Sequence, residues 1–107
     1  GQFARLGRIE MEYFSVIMHG QGISVPSSEA DNEIIGFYTT RWVKAATGED
    51  AATAATKLVM RDWTEGEFVA MNRGGPPEVS IDSVASVSLF KYLWRRPGGG
   101  YSFYSSE

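Results

Sequence analysis

Residues 34–63 decide the fold and read IIGFYTTRWVKAATGEDAATAATKLVMRDW from Ile34 to Trp63. The first part of this stretch is rich in β-branched and aromatic residues, which is typical of a strand, and we place that strand at Phe37–Ala45. Thr47 is followed three residues later by Asp50, a weak form of the capping box that opens helices. The stretch therefore predicts a strand that leads directly into a helix.

The predicted helix carries small and apolar residues at the helical period, and these form one stripe. The stripe consists of Ala51, Ala54, Ala55, Leu58 and Val59. Small side chains let a helix lie close to a sheet. Because a single helix covers only one face of a sheet, the opposite face needs another cover.

The rest of the chain reads as short strands separated by turn-forming residues. Tyr13–His19 alternates as a first strand, and residues 20–33 follow as a polar loop. Phe68–Met71 reads as a short strand or an extended loop, and Val79–Phe90 as the third main strand. Tyr101–Tyr104 alternates aromatic and polar residues, as a final edge strand does.

Ser86–Arg95 has two interpretations. We favour a strand, but a short helix would place Leu89, Phe90, Leu93 and Trp94 on one side. With either interpretation, the order of elements predicts an α+β fold. We expect an antiparallel sheet of three to four strands with one main helix packed on one face.

The length of 107 residues predicts a single domain. We assign that domain to residues 11–107 and take residues 1–10 as a flexible N-terminal segment or a cloning remnant, with Met11 as the natural start. The sequence contains no cysteine, which excludes disulfides and thiolate chemistry. It also has no apolar run of the ~20 residues that a membrane span needs and no signal-peptide pattern, so we expect a cytoplasmic bacterial protein.

The charge pattern narrows the class of partner. The formal net charge is −3, which disfavours nucleic acid as a partner because such binding relies on many Lys and Arg contacts to phosphates. One histidine and scattered carboxylates show no metal-ligand spacing, so we expect neither a metal nor another cofactor. We also expect no membrane partner.

Three motifs carry a resemblance to other proteins. They are the strand Gly-Phe-Tyr-Thr-Thr-Arg at Gly36–Arg41, the acidic-capped helix that follows it, and the tail Gly-Gly-Tyr-Ser-Phe-Tyr at Gly99–Tyr104. With these motifs the chain resembles small bacterial α+β proteins of unknown function. The resemblance implies a compact α+β domain and brings no activity or site residue with it.

His19 is the only histidine, and it ends the first predicted strand beside a glycine-containing turn. As a functional residue it would act as a general base near exposed backbone. A Ser–His–acid triad lacks the Gly-x-Ser-x-Gly elbow that would support it. We favour the simpler interpretation, a polar strand end next to a turn.

Arg95 and Arg96 precede Pro97 and three glycines. Guanidinium groups beside free backbone N–H groups can hold a phosphate or carboxylate, and neighbouring aromatic residues offer stacking to a single-stranded nucleic acid. The simpler interpretation, which we favour, is a basic, solvated strand end before a turn.

Arg41 shares a strand face with Phe37 and Thr39. If that face is buried, Arg41 needs a carboxylate partner or lines a pocket. We favour instead a side chain that extends to solvent along its apolar stem.

These observations lead to two hypotheses about function. The first is a non-enzymatic homodimer that buries the sheet face opposite the helix, with Tyr13, Ile17, Tyr38 and Trp42 in the interface. The alternative is a small-anion or nucleotide-binding protein or enzyme with a site near His19 and Arg95–Gly100. Its ligand-binding residues would be His19, Arg41, Arg95 and Arg96.

Overall fold

A computed structural model describes residues 10–27 and 33–105. Most of the predicted N-terminal segment, and residues 28–32 of the predicted loop, lie outside the described residues. The described part contains the strands β1 (Glu12–Pro26), β2 (Glu33–Ala45), β3 (Glu78–Val87) and β4 (Tyr101–Ser105). They form a four-stranded antiparallel sheet in the order β3-β1-β2-β4.

Three helices occur among the described residues: α1 (Gly48–Thr64), α2 (Phe68–Met71) and α3 (Leu89–Arg95). The long helix α1 packs on one face of the sheet, which confirms the predicted α+β class with one main helix. Thr47 caps α1, since its hydroxyl accepts a hydrogen bond from the backbone N–H of Asp50 at 3.1 Å. The predicted helix start is therefore confirmed.

The hydrophobic core lies between α1 and the sheet. Its helix side consists of Ala51, Ala55, Val59 and Trp63. The strands contribute Phe14, Val16, Met18, Ile23, Val25, Phe37, Val43 and Ala45. The alanines carry so little side chain that α1 can approach the strands closely, as the stripe predicted.

The first strand is longer than predicted, because β1 continues to Pro26 where a loop was expected to begin at residue 20. Ile23 and Val25 are buried in the core, which provides the driving force for this extension. The register of β1 against β2 shifts between Gln21 and Val25. Gly22 lies in this irregular segment with φ of +89°, a conformation that L side chains rarely adopt.

Two other segments differ from their prediction. Phe68–Met71 is a short helix, not a strand or an extended loop, and the ring of Phe68 stacks on Trp63 with centroids 4.4 Å apart. The strand preferred for Ser86–Arg95 is wrong beyond Val87, where α3 forms. Ser88 starts that helix, since its hydroxyl accepts from the N–H of Lys91 at 3.1 Å.

Candidate functional site

The sheet face opposite α1 is called the open face here. Along β1 and β2, every second side chain points to the core, and the side chains between them point to the open face. Residues that are paired across the two strands lie on the same face. The open face includes Tyr13, Ile17, His19, Tyr38, Trp42 and Tyr104. All four predicted interface residues, Tyr13, Ile17, Tyr38 and Trp42, therefore lie on one face.

Helix α3 crosses one end of the open face. Tyr92 packs against Tyr13 with ring centroids 4.7 Å apart, and the guanidinium of Arg95 lies 5.9 Å from the Trp42 ring centroid. Just after the helix, the carbonyl of Pro97 accepts a hydrogen bond from the backbone N–H of Trp42 at 3.0 Å. Two of the predicted interface residues, Tyr13 and Trp42, are thus contacted by α3 of their own chain.

The side of α3 that faces away from the sheet is apolar, and we call it the apolar stripe. Phe90 and Trp94 are 83% and 85% exposed, whereas Tyr92 on the sheet side is half-buried. Leu89 and Leu93 complete the stripe at 44% and 50% exposed. A helix that lies on a protein surface normally turns its apolar side inward, so α3 has the opposite orientation.

Within residues 10–27 and 33–105, no helix lies over the remaining part of the open face, and we call this part the uncovered half. Ile17 and Tyr38 are 38% and 45% exposed there. Tyr38 stacks on His19 with centroids 4.6 Å apart, and His19 Nε2 lies 2.6 Å from the hydroxyl oxygen of Tyr104. These side chains form a platform of rings across β1, β2 and β4.

The apolar stripe was visible in the sequence as the helical spacing of Leu89, Phe90, Leu93 and Trp94. The β-branched run before it favoured a strand, in which these four residues would not share one side. Only the position of α3 over the sheet shows which side of that helix meets solvent.

A buried polar cluster lies on the helix side of the sheet. Its central residue is Arg41, which is only 2% exposed. Its Nη2 donates to Asp62 Oδ2 and to the Tyr101 hydroxyl, both at 3.1 Å, and its Nη1 donates to Thr39 Oγ1 at 2.5 Å. The favoured interpretation of Arg41 as a solvent-directed side chain is therefore wrong. The other expectation was that a buried Arg41 would need a carboxylate partner, and Asp62 is that partner.

Tyr101 connects this polar cluster to the last strand. Its hydroxyl donates to Asp62 Oδ2 at 2.7 Å, and its ring lies 5.0 Å from the guanidinium carbon of Arg41. Burial, and then the hydrogen bond to Asp62, raises the pKa of Tyr101 well above its ordinary range, although the charge of Arg41 acts in the opposite direction. A protonated phenol at this position holds β4 against β2 and α1.

Two clefts flank the turn at residues 98–100. The cleft on the helix side has a volume of about 440 Å³, and Arg41, Asp62 and Tyr101 contribute to its lining. The cleft on the open side has a volume of about 480 Å³, and Arg95 and the glycines of the turn contribute to its lining.

The predicted ligand residues do not meet in one cleft. Arg41 lines the helix-side cleft and Arg95 the open-side cleft. His19 reaches the open-side cleft only through Tyr38, on which it stacks, and Arg96 packs 5.6 Å from the centroid of the Tyr92 ring. A shared role of these four residues in ligand binding stays a prediction.

Residues 10–27 and 33–105 contain no group of three or more His, Asp or Glu side chains that could hold a metal ion. In the same residues, no helix combines the length and the apolar character that a membrane crossing requires.

Comparisons with models of protein families, with curated proteins and with solved structures found no match. The resemblance carried by Gly36–Arg41 and Gly99–Tyr104 therefore stays an expectation.

Proposed function

We propose that this chain is a non-enzymatic interaction module that forms a homodimer through the open face of its sheet. The setting that we propose is the bacterial cytoplasm, where disulfides rarely form, and a chain without cysteine is compatible with it. The contact surface consists of the apolar stripe of α3 together with Ile17 and Tyr38 of the uncovered half.

The observation that carries this proposal is the outward orientation of the stripe, with Phe90 and Trp94 more than four-fifths exposed. Leaving such side chains in water is unfavourable, since burying each one contributes about 1.5–3 kcal/mol. Adjacent exposed apolar side chains of this kind are characteristic of protein contact sites. Trp, Tyr and Phe are also the residues enriched in such contacts.

The size of the surface is compatible with a stable dimer. Phe90 and Trp94 each bring a ring that buries roughly 150–250 Å² when fully covered. Tyr38, Leu89, Leu93 and Ile17 add the part of their surface that is still exposed, between 38% and 50% for each residue. The total approaches the roughly 800 Å² per partner of a standard interface.

The test is light scattering after size exclusion, across a dilution series. The native chain is expected to have twice the mass of 11.8 kDa, and Phe90→Glu and Trp94→Glu are expected to have the mass of one chain. Val69→Glu is the matched control, because Val69 is 47% exposed but lies outside α3 and the sheet. It should remain a dimer.

The glutamate variants place charge on exposed positions, so they should retain the fold, and circular dichroism checks this. A native chain that stays a monomer up to high micromolar concentration would overturn the proposal. A dimer that persists in both glutamate variants would show that another surface is used.

The open-side cleft supports a second candidate, the binding of a small anion. Arg95 contributes to its lining beside Gly98–Gly100, which provide the type of backbone that approaches phosphate closely. Phosphate or a nucleotide is expected to raise the melting temperature of the native chain and of Arg96→Ala, but not of Arg95→Ala. Arg96 is the control because it packs on Tyr92 outside this cleft. Equal stabilisation of both variants would exclude the site.

A further inference from the structure

We infer that the two copies are related by a two-fold axis and that α3 of each copy lies on the uncovered half of the other. This inference rests on the proposed function and specifies how the two open faces meet.

The open face has the shape of a step. At the end that carries Tyr13 and Trp42, α3 adds a layer of helix over the strands. A helix is about 10 Å thick, which is also about the spacing between packed layers of secondary structure. At the end that carries Ile17 and Tyr38, no such layer is present among the described residues.

Two step-shaped faces have two ways to meet. If α3 meets α3, the stripes bury each other, but two helix layers then separate the sheets, and Ile17 and Tyr38 remain about two helix diameters from the partner's sheet. If α3 of each copy lies on the uncovered half of the other copy, both stripes and both uncovered halves are buried at once. The second arrangement covers more apolar area, so it is the more stable one.

A two-fold axis produces this arrangement from two identical copies alone. In such an interface a patch on one copy contacts a different patch on its partner, and the same contact recurs in reverse. The stripe and the uncovered half are separate patches of one face, so each copy offers both. The contact also closes after two copies and leaves no stripe free for a third.

The chemistry of the two patches is complementary. Phe90 and Trp94 offer ring edges and faces, and the stacked pair of His19 and Tyr38 offers a broad ring surface. Aromatic rings prefer offset or edge-to-face contacts, which an added ring can make on such a platform. Ile17 extends the apolar surface of the platform along β1.

The charges also favour the binding of α3 to the uncovered half of a second copy. The only charged residues of α3 are basic, and Arg96 follows directly, whereas the chain as a whole carries a net charge of −3. The net charge of the rest of the chain is therefore more negative than −3. Glu78 is exposed opposite Gln21, at the rim of the uncovered half, where it can meet the basic residues of a partner helix.

The experiment uses engineered cysteines, which are informative because the chain has none of its own. Leu93→Cys places a thiol on the stripe. Ser83→Cys places one beside Ile17 on β3, and Ser102→Cys places one beside Tyr38 on β4. Single variants are mixed in pairs and oxidised, and the cross-linked peptides are identified by mass spectrometry.

We expect mixed disulfides between position 93 of one copy and position 83 or 102 of the other. Val69→Cys mixed with the same partners is the control, and it should give no more cross-linking than unfolded chains do. The mixed disulfides should also be lost when Trp94→Glu is added to the Leu93→Cys chain.

The outcomes separate this inference from the proposed function. A dimer by light scattering that forms only 93–93 disulfides would overturn the reciprocal seating and leave the dimer intact. A monomer by light scattering would overturn both. A monomer that binds vesicles of anionic phospholipid, and loses this binding on Trp94→Glu, would assign the stripe to a membrane surface and would also overturn both.

Discussion

The ring of Tyr104 lies directly over Gly36, on the open face of the sheet. A Cβ atom at position 36 would clash with the Tyr104 hydroxyl oxygen and with the ring carbon that bears it. Because Gly36 has no side chain, Tyr104 crosses β2 from β4 and comes within hydrogen-bond distance of His19 on β1. A glycine in the central hairpin thus allows three strands to share one ring cluster.

Gly36→Ala should displace Tyr104 and break its contact with His19. We expect a loss of about 1–3 kcal/mol in the free energy of unfolding, since overpacking a well-packed site has that effect. Urea denaturation measures this loss. Gly99→Ala is the control, because a Cβ at position 99 meets no atom within 4 Å. His19 is the only histidine, so its ring signals in NMR spectra should shift in Gly36→Ala and stay in place in Gly99→Ala.

Asp62→Asn should leave the buried guanidinium of Arg41 without a charged partner. We expect destabilisation by about 2–3 kcal/mol, below the roughly 3–5 kcal/mol of a fully buried pair, because the Asp62 side chain is 42% exposed. The measurement is chemical denaturation of Asp62→Asn, Arg41→Met and the double variant.

In the double variant no charge is left unpaired, so it should lose less stability than the two single changes together. Strict additivity of the two losses would contradict a direct interaction between Arg41 and Asp62.

The raised pKa of Tyr101 predicts a loss of stability at alkaline pH. In the unfolded chain a tyrosine releases its proton near pH 10, whereas the folded chain holds the Tyr101 proton to higher pH. Above that pH the unfolded state binds fewer protons than the folded state, so the free energy of unfolding falls as the pH rises. Below it, the contribution of Tyr101 is fully present.

Tyr101→Phe is the variant that tests this dependence. At neutral pH it should be less stable than the native chain by about 1 kcal/mol, through the lost hydrogen bond to Asp62. Urea denaturation at a series of pH values should show the difference between the two proteins shrinking at alkaline pH. A constant difference would mean that Tyr101 ionises at the same pH in both states.

Thr47→Ala should shorten α1 at its beginning. The loss of the hydroxyl that accepts from the N–H of Asp50 should lower the free energy of unfolding by about 1 kcal/mol. Thr53→Ala is the matched control within the same helix. The Thr53 hydroxyl bonds the carbonyl of Glu49 inside the helix, and alanine is the better helix former, so that change should be neutral or slightly stabilising. An equal loss in both variants would show that capping is not the cause.

Local sequence patterns predicted the main elements of the fold well. Helix α1 has a cap at Thr47 and a small-residue stripe, and both depend on residues that are close together in the chain. The two-residue alternation along β1 also puts Phe14, Val16 and Met18 on one face, and all three are buried. Alternation alone did not show which face of β2 meets the helix, because Phe37 and Tyr38 are both large and occupy opposite faces.

The misread segments depend on partners that lie outside the segment itself. Phe68 stacks on Trp63 of α1, and β1 continues to Pro26 because Ile23 and Val25 reach the core. Arg41 is buried because Asp62 and Tyr101 come to it from other elements. The residues of each segment do not show which partner their side chains will meet.

The sequence by itself determined the α+β class, the start of the main helix and the absence of thiol chemistry, because these follow from residue types and their local spacing. Only the tertiary structure decided that Arg41 is a buried ion-pair partner and that α3 points its apolar stripe outward. The physical reason is that burial depends on which distant surfaces meet. Helix α3 connects β3 to β4 and lies across the sheet on the way. This path decides which side of the helix meets solvent.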